Sequence, residues 1–395
     1  MHSPRVAERL VPFGTSIFAQ MTRLAQQHNA VNLAQGFPDF DGPGLAHKAA
    51  TDALAAGHSQ YSRMIGVPPL NEAIAASWAS RGLGTIDPER EITVTSGCSE
   101  AIVSVLLGLF NPGDEIVVFE PYFDFYTACA AMAGLVPRFV TLHPPSRKGD
   151  GFTFDAEALK RAFTPRTKAI FINTPHNPTG KVYSREELTL IAGLCQRHGV
   201  IAITDEVYEH LIYDDAQPHI QMRSLPGMED KTVTLSSLGK TFSLTGWKIG
   251  WAVAPAHLSA GVRAAHQFLT FCAATPLQHA AAAILREPGD YTRGIASLMA
   301  GNRDRLGAAL ERLGLTVHRS DSTYFLMADH GALGYADDRA FCRHLAEHVG
   351  VAAIPPSVFY SDPRRGQSMA RFAFCKRRET IDEAIRRLER LKPAR

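Results

Sequence analysis

Cysteine is sparse in this sequence: Cys98, Cys129, Cys195, Cys272, Cys342 and Cys375 are scattered over 395 residues, with no C-x-x-C pair among them. A chain of this length has no need of disulfide staples, so reduced thiols in the cytoplasm are expected. An excess of one charge is also missing. Lys+Arg number 41 against 39 Asp+Glu, and the net charge of +2 gives no field that would steer nucleic acid or an anionic membrane. The most apolar window, Ala101 to Phe110, falls far short of the roughly 20 residues that a membrane span needs. Met1 to Gly14 holds no apolar stretch of the kind a secretion signal requires. Fixed-period repeats and low-complexity tracts are absent as well. These absences predict a soluble intracellular chain whose partner is a small molecule, with no nucleic acid and no membrane.

What is present is material for a large core. Apolar residues make up 45% of the chain, and a prior of roughly 150 residues per domain allows two to three domains. From about residue 90 to 255, short β-branched runs alternate with amphipathic helical patterns, which predicts a βαβ series and a mainly parallel sheet. Ile92-Thr93-Val94-Thr95, Glu115 to Phe119, Ala169 to Ile172, Val200 to Thr204 and Thr232 to Leu235 are the predicted strands, the near-continuous apolar ones buried on both faces. His143 to Gly151, dense in Pro, Gly and basic residues, reads as a surface loop. Beyond Pro255 a long helical segment runs towards Arg286. Glu287-Pro288-Gly289 then breaks the pattern ahead of helix, strands and a basic final helix. This predicts a large domain over 46–287 and a smaller α+β domain over 288–395, with residues 1–45 forming an N-terminal arm and one strand of the smaller domain.

Ligands of open α/β sheets sit beyond the carboxyl ends of the strands, so the residues following each strand are the candidates. Ser96-Gly97-Cys98-Ser99 is a turn feeding a helix, where free amides and the positive dipole end would receive a phosphate. Glu120 to Tyr126 clusters aromatic rings, one of which could stack on a planar ligand. Asn173 to Gly180, with Pro175 and Pro178, fixes a rigid turn that aims Asn177 at the strand ends. Asp205, at the end of a buried strand, requires a cationic partner to offset its desolvation. Lys240 follows another buried strand among small and apolar residues, where desolvation favours the neutral, nucleophilic amine of Schiff-base chemistry.

The run from Ser236 to Trp251, with Asn177-Pro178-Thr179-Gly180 and Asp205-Glu206-Val207-Tyr208 upstream and Met369-Ala370-Arg371-Phe372 downstream, resembles the fold-type I pyridoxal-phosphate aminotransferases over nearly the whole chain. Asn32 to Phe40, Gln60-Tyr61 and Ala353-Ile354-Pro355 resemble the kynurenine aminotransferase/glutamine transaminase K branch, and Ala25 to Asn29 the bacterial methionine aminotransferases within it. The resemblance implies an α/β fold of type I, with a mainly parallel seven-stranded sheet. It also implies pyridoxal 5′-phosphate as cofactor, an amino acid and a 2-oxo acid as substrates, and a ping-pong cycle in a cytoplasmic homodimer.

Carried over residue by residue, the resemblance makes Lys240 the Schiff-base lysine and proton carrier, and Asp205 the partner of the pyridine nitrogen. Asn177 and Tyr208 would hold the phenolic oxygen, and Phe123 would stack on the ring. Cys98, Ser99, Ser237 and Lys248 would take the phosphate, together with Tyr61 from the neighbouring subunit. Arg371 would clamp the substrate carboxylate with Gly36 beside it, and Phe18, Tyr126 and Phe271 would shape the side-chain pocket. The kynurenine enzymes carry tryptophan where Phe18 stands and histidine where Cys272 falls, which favours methionine as donor. The alternative is kynurenine or glutamine transamination with carbon-sulfur β-lyase activity on cysteine conjugates.

Two motifs point elsewhere and fail on context. Ser237-Leu238-Gly239-Lys240 matches S-x-x-K, but the accompanying K-T-G and S-D-N elements are missing. His344-Leu345-Ala346-Glu347-His348 matches H-x-x-E-H without an evident third ligand, so no metal site is predicted.

Overall fold

The near-continuous apolar runs between Glu115 and Leu235 have to be covered on both faces, which makes this stretch the scaffold. The computed structural model describes residues 5–147, 149–213 and 218–394. A short strand, β1 (Val31–Asn32), comes first. The large sheet follows: β2 (Ile92–Thr95), β3 (Glu115–Glu120), β4 (Val136–His143), β5 (Thr153–Phe154), β6 (Thr167–Asn173), β7 (Ile201–Asp205), β8 (Thr232–Ser237) and β9 (Gly250–Val253). Their order across the sheet is β2-β9-β8-β7-β6-β3-β4-β5. β9 runs antiparallel to both of its neighbours and β5 antiparallel to β4, while the other pairs are parallel. The fold is α/β with a large, mainly parallel sheet, in which β5 adds a two-residue eighth strand at the edge.

Two of the longer strands were not legible as such. β4 sits near the sheet edge and alternates exposed and half-buried residues, with Pro137 and Arg138 obscuring its pattern. β9 opens on Gly250 and reads as the tail of the Lys240 loop. The alternation along β3 shows why the interior strands are apolar throughout. Ile116 and Val118 pack under the helix Gly97–Leu109 beside Ala101 and Val105. Val117 and Phe119 pack on the other face with Ile170 and Leu188.

The helical segment after Pro255 is two helices, Ala256–Leu269 and Thr275–Arg286. Between them Phe271 takes a left-handed conformation with φ of 67°, which no continuing helix accommodates. Past the break, the helix Tyr291–Arg312 leads into β10 (Thr316–Val317), β11 (Phe325–Asp329), β12 (Val351–Ala352) and β13 (Met369–Ala373), closed by the helix Arg378–Leu388. β10, β11 and β13 form an antiparallel sheet, and β1 pairs in parallel with β12. The segment around Leu33 thereby joins the core of this smaller body. The predicted surface loop begins at His143, the last residue of β4; Lys148 within it lies outside the described residues. Among the described residues no helix is long and apolar enough to cross a membrane, and the six cysteines are free thiols.

Candidate active site

Sheet register gathers the candidates. Asn173 pairs with Asp205 across β6 and β7, and Asp205 with Leu235 across β7 and β8. Gly250 at the start of β9 lies opposite both Thr95 and Ser237. Beyond these strand ends opens a cavity of about 270 Å³, and every site residue expected from the sequence lines it except Tyr61 and Phe271.

Lys240 sits in the single helical turn Leu238–Thr241 that follows β8. Its Nζ donates to the Gly36 carbonyl at 3.4 Å and stands 5.9 and 5.7 Å from the ring centres of Tyr208 and Tyr324. Burial lowers its pKa; Cys375 and Asp205 oppose the shift, and Lys248 and Arg371 reinforce it. The neutral amine is thus easier to reach than on a surface lysine.

Asp205 ends β7 with its carboxylate buried. Tyr126 Oη donates to Oδ2 at 2.7 Å, the Val207 amide to Oδ1 at 3.3 Å and the Cys98 thiol to Oδ1 at 3.6 Å. Burial raises the carboxyl pKa, and these donors together with Lys240 pull it back. The Asn173 side chain holds the turn beside it, donating to the Asp205 carbonyl at 2.9 Å and accepting from the Asn177 amide at 2.7 Å.

At the third corner, the helix Gly97–Leu109 begins with no side chain capping its first amides. Lys248 hangs over this end: a Cβ on Gly97 would lie 3.2 Å from Lys248 Nζ. A Cβ on Gly250 would lie 2.5 Å from the Cys98 amide nitrogen, so only glycine lets β9 approach the helix this closely. Uncapped amides, a positive dipole end and an ammonium group make a cradle for a phosphate dianion.

Arg371, on β13, is 1% exposed. Its Nη1 donates to Asn177 Oδ1 at 3.1 Å and its Nη2 to the Ala34 carbonyl at 2.8 Å, while Nε has no partner. The guanidinium lies 4.2 Å from the ring centre of Phe325 and 5.1 Å from that of Phe18. Burial lowers its pKa to about 10, so it remains a cation at neutral pH. No carboxylate pairs with it among the described residues.

The charge balance of the cavity is one-sided. Among the described residues that line it, Lys240, Lys248 and Arg371 face Asp205 as the only acidic side chain. Buried or confined cations of this kind call for anionic ligands. A group carrying a phosphate, a carbonyl for an amine and a protonated ring nitrogen meets a matching residue at each point, and the orphaned Arg371 Nε is left for a carboxylate.

Tyr61 is 85% exposed and packs edge-on against Phe271, away from the cavity, and Phe271 does not line the cavity either. Tyr126 lines it as expected, but its hydroxyl is turned to Asp205 rather than to the open space. Sequence reasoning passed over Tyr324, whose hydroxyl donates to the Gly36 carbonyl at 2.6 Å, and Phe325 beneath Arg371. The available signal was an aromatic pair at the start of a predicted strand. Which of the two faces Arg371 follows from the β11 to β13 register, where Phe325 pairs with Ala373 and Met327 with Arg371. His344 and His348 lie outside the cavity, their rings 5.1 Å apart. Among the described residues no three His, Cys, Asp or Glu side chains gather to hold a metal ion.

Residues 28–388 match the family described as aminotransferase class I and II. The chain is 48% identical to a probable N-succinyldiaminopimelate aminotransferase of Mycobacterium tuberculosis, covering 96% of this chain and 97% of that one. The solved structure of N-succinyldiaminopimelate aminotransferase from that organism superposes with a TM-score of 0.93 at 47% identity, over 97% of this chain and 99% of that one. A methionine aminotransferase of Escherichia coli is 37% identical over 99% of this chain and its own full length. Human kynurenine-oxoglutarate transaminase 1 is 38% identical over 96% of this chain and 97% of its own.

Proposed function

This chain belongs to the class I and II aminotransferases, enzymes that depend on pyridoxal 5′-phosphate, and from that premise we propose that it moves the amino group of methionine, and of other amino acids with apolar or aromatic side chains, to a 2-oxo acid. The observation that carries this reading is the charge balance of the cavity: each of its three cations has an anionic or carbonyl group of cofactor or substrate α-carboxylate to meet, which leaves none for an acidic side chain. Phe18, Phe123 and Phe325 supply apolar surface there instead.

Pyridoxal phosphate, when bound, supplies a carbonyl that takes up the amino group and a conjugated ring that accepts the electron pair left at the substrate α-carbon. The chain's residues do the rest. Lys240 Nζ holds the cofactor between turnovers and, once released, takes the proton from the substrate α-carbon and delivers it again. Asp205 keeps the ring nitrogen protonated, and Asn177 and Tyr208 donate to the phenolic oxygen. Phe123 covers the ring face. Cys98 and Ser99 at the helix start, with Ser237 and Lys248, hold the phosphate. Arg371 grips the α-carboxylate, with the Gly36 backbone beside it, and Phe18 closes the side-chain space.

The working unit in this reading is a homodimer in the cytoplasm, where six unpaired thiols are stable. Tyr61 stands exposed against Phe271, and Phe268 and Leu269, just before Phe271 in the chain, likewise show apolar surface to solvent. A second copy covering these residues would bring Tyr61 to the partner's phosphate.

A second reading, N-succinyldiaminopimelate as donor, is favoured by the 48% identity to the mycobacterial relative of that name. That substrate carries further carboxylates, and their cations would have to come from outside the cavity of one chain. Kynurenine or glutamine transamination, with β-elimination from cysteine conjugates, is the third candidate within the same chemistry.

The test is the half-reaction. The purified holoenzyme is mixed with excess methionine, kynurenine or N-succinyldiaminopimelate, with no oxo acid present. Loss of the visible cofactor band, with one equivalent of the corresponding oxo acid released, identifies the donor. A spectrum unmoved by methionine but bleached by N-succinyldiaminopimelate would overturn the methionine assignment and leave the second reading standing.

A further inference from the structure

One turn along the cradle helix, Glu100 is bound on every side. Its Oε2 accepts from the Ser96 amide at 2.7 Å, and its Oε1 accepts from Ser104 Oγ at 2.8 Å and from His266 Nδ1 at 2.8 Å. Burial alone would raise the Glu100 carboxyl pKa; the bonds from His266, Ser96 and Ser104 bring it below the ordinary value. His266 is fully buried, and its other nitrogen, Nε2, lies 2.9 Å from the Met64 carbonyl. A carboxylate and a carbonyl only accept, so the ring satisfies both when each nitrogen carries a proton. Thr270 Oγ1, at 3.3 Å from Nδ1, is the more distant neighbour.

This places a carboxylate in the first turn of the helix whose amides form the phosphate cradle, with the His266 ring set between it and the Met64 carbonyl. An unpaired carboxylate there would act on the same dipole end that receives the dianion, and would repel it through a low-dielectric interior. Resting on the cofactor placement above, we propose that His266 is a positioning residue for the cofactor phosphate: its imidazolium neutralises Glu100, so that the helix amides and Lys248 meet the phosphate without a competing anion. Its bond to Met64 also ties the segment carrying Tyr61 to this helix.

The test separates charge from packing by comparing pyridoxal phosphate with pyridoxal, which lacks the phosphate. Dissociation constants of both are measured on apoenzyme, with thermal unfolding of each apo form as a check on folding. His266→Asn should weaken pyridoxal phosphate roughly tenfold or more while changing pyridoxal by less than about threefold. Glu100→Gln combined with His266→Asn removes the stranded charge and should restore pyridoxal phosphate to within about threefold of wild type. His266→Gln provides the same comparison if the asparagine variant does not fold. Equal losses for the two ligands, or no recovery in the double variant, would overturn the proposal in favour of a packing role. A wild-type protein that does not distinguish pyridoxal phosphate from pyridoxal would overturn the placement of the phosphate itself, and this inference with it.

Discussion

The Tyr126 hydroxyl donates to Asp205 Oδ2 at 2.7 Å, so a ring from the first turn of the helix Asp124–Ala133, which follows β3, fixes the carboxylate at the end of β7. The carboxylate is buried, and every donor it has makes it a weaker base. Tyr126→Phe removes the shortest of these bonds and should cost about 1–3 kcal/mol, the penalty for an under-satisfied buried acceptor. We expect kcat to fall roughly tenfold to a hundredfold, with the KM for the amino acid changed by less than about twofold, because Tyr126 touches Asp205, the proposed partner of the ring nitrogen, and not the substrate. Steady-state kinetics with two different donors would show it, and an effect confined to KM would place Tyr126 in the substrate pocket instead.

Arg371 presents a planar fork whose Nε is unsatisfied. Arg371→Lys keeps the charge and loses the fork. The expected result is a drop in kcat/KM of similar size for every amino acid tested, equivalent to roughly 2–4 kcal/mol. A drop for one substrate alone would make Arg371 a reader of side chains.

Gly250 lies where a Cβ would come within 2.5 Å of the Cys98 nitrogen. Backbone cannot yield as a flexible side chain does, so Gly250→Ala should push the helix start away from β9. Affinity for pyridoxal phosphate should fall by roughly tenfold or more, while the protein stays folded with a loss of about 1–3 kcal/mol from overpacking. Cofactor titration alongside denaturant unfolding checks both, and a variant with unchanged cofactor affinity would remove the close approach from the design of the cradle.

His176, buried in the turn that carries Asn177, bonds Thr179 Oγ1 through Nδ1 at 2.8 Å. Burial, with Lys181 adding to it, lowers its pKa from 6.5 to about 3. Between those values the unfolded chain binds a proton that the folded chain refuses, so stability is complete above pH 6.5 and declines as pH falls towards 3. This one group contributes at most about 1.4 kcal/mol per pH unit to that decline. His176→Gln should flatten the acid limb of the stability curve by up to one proton, measured as the pH dependence of the unfolding free energy.

Lys240, Asp205 and Asn177 were legible because each follows, directly or after a short turn, a run so apolar that only an interior strand fits, and parallel strands put their ends on one edge. Register then brings the three together with no further information. Tyr126 was legible as an aromatic at the right place but not as a donor to Asp205, since its aim depends on how the helix Asp124–Ala133 is rotated. The link from Arg371 to Ala34 joins residues 337 apart, and nothing local in either segment signals it. Tyr61 is exposed and packs on Phe271 outside the cavity, and nothing in its own segment aims it at a ligand.

The Ala34 carbonyl and the Asn177 side chain accept from two arms of the Arg371 guanidinium. In a ping-pong cycle with the proposed carboxylate clamp, this fork would be vacated twice per turnover, once by each departing oxo or amino acid. A buried cation stripped of all partners would hold its product tightly. With the Ala34 carbonyl and the Asn177 oxygen already at its arms, each departing carboxylate would in that cycle hand the guanidinium back to a waiting oxygen, so that binding would be an exchange of partners.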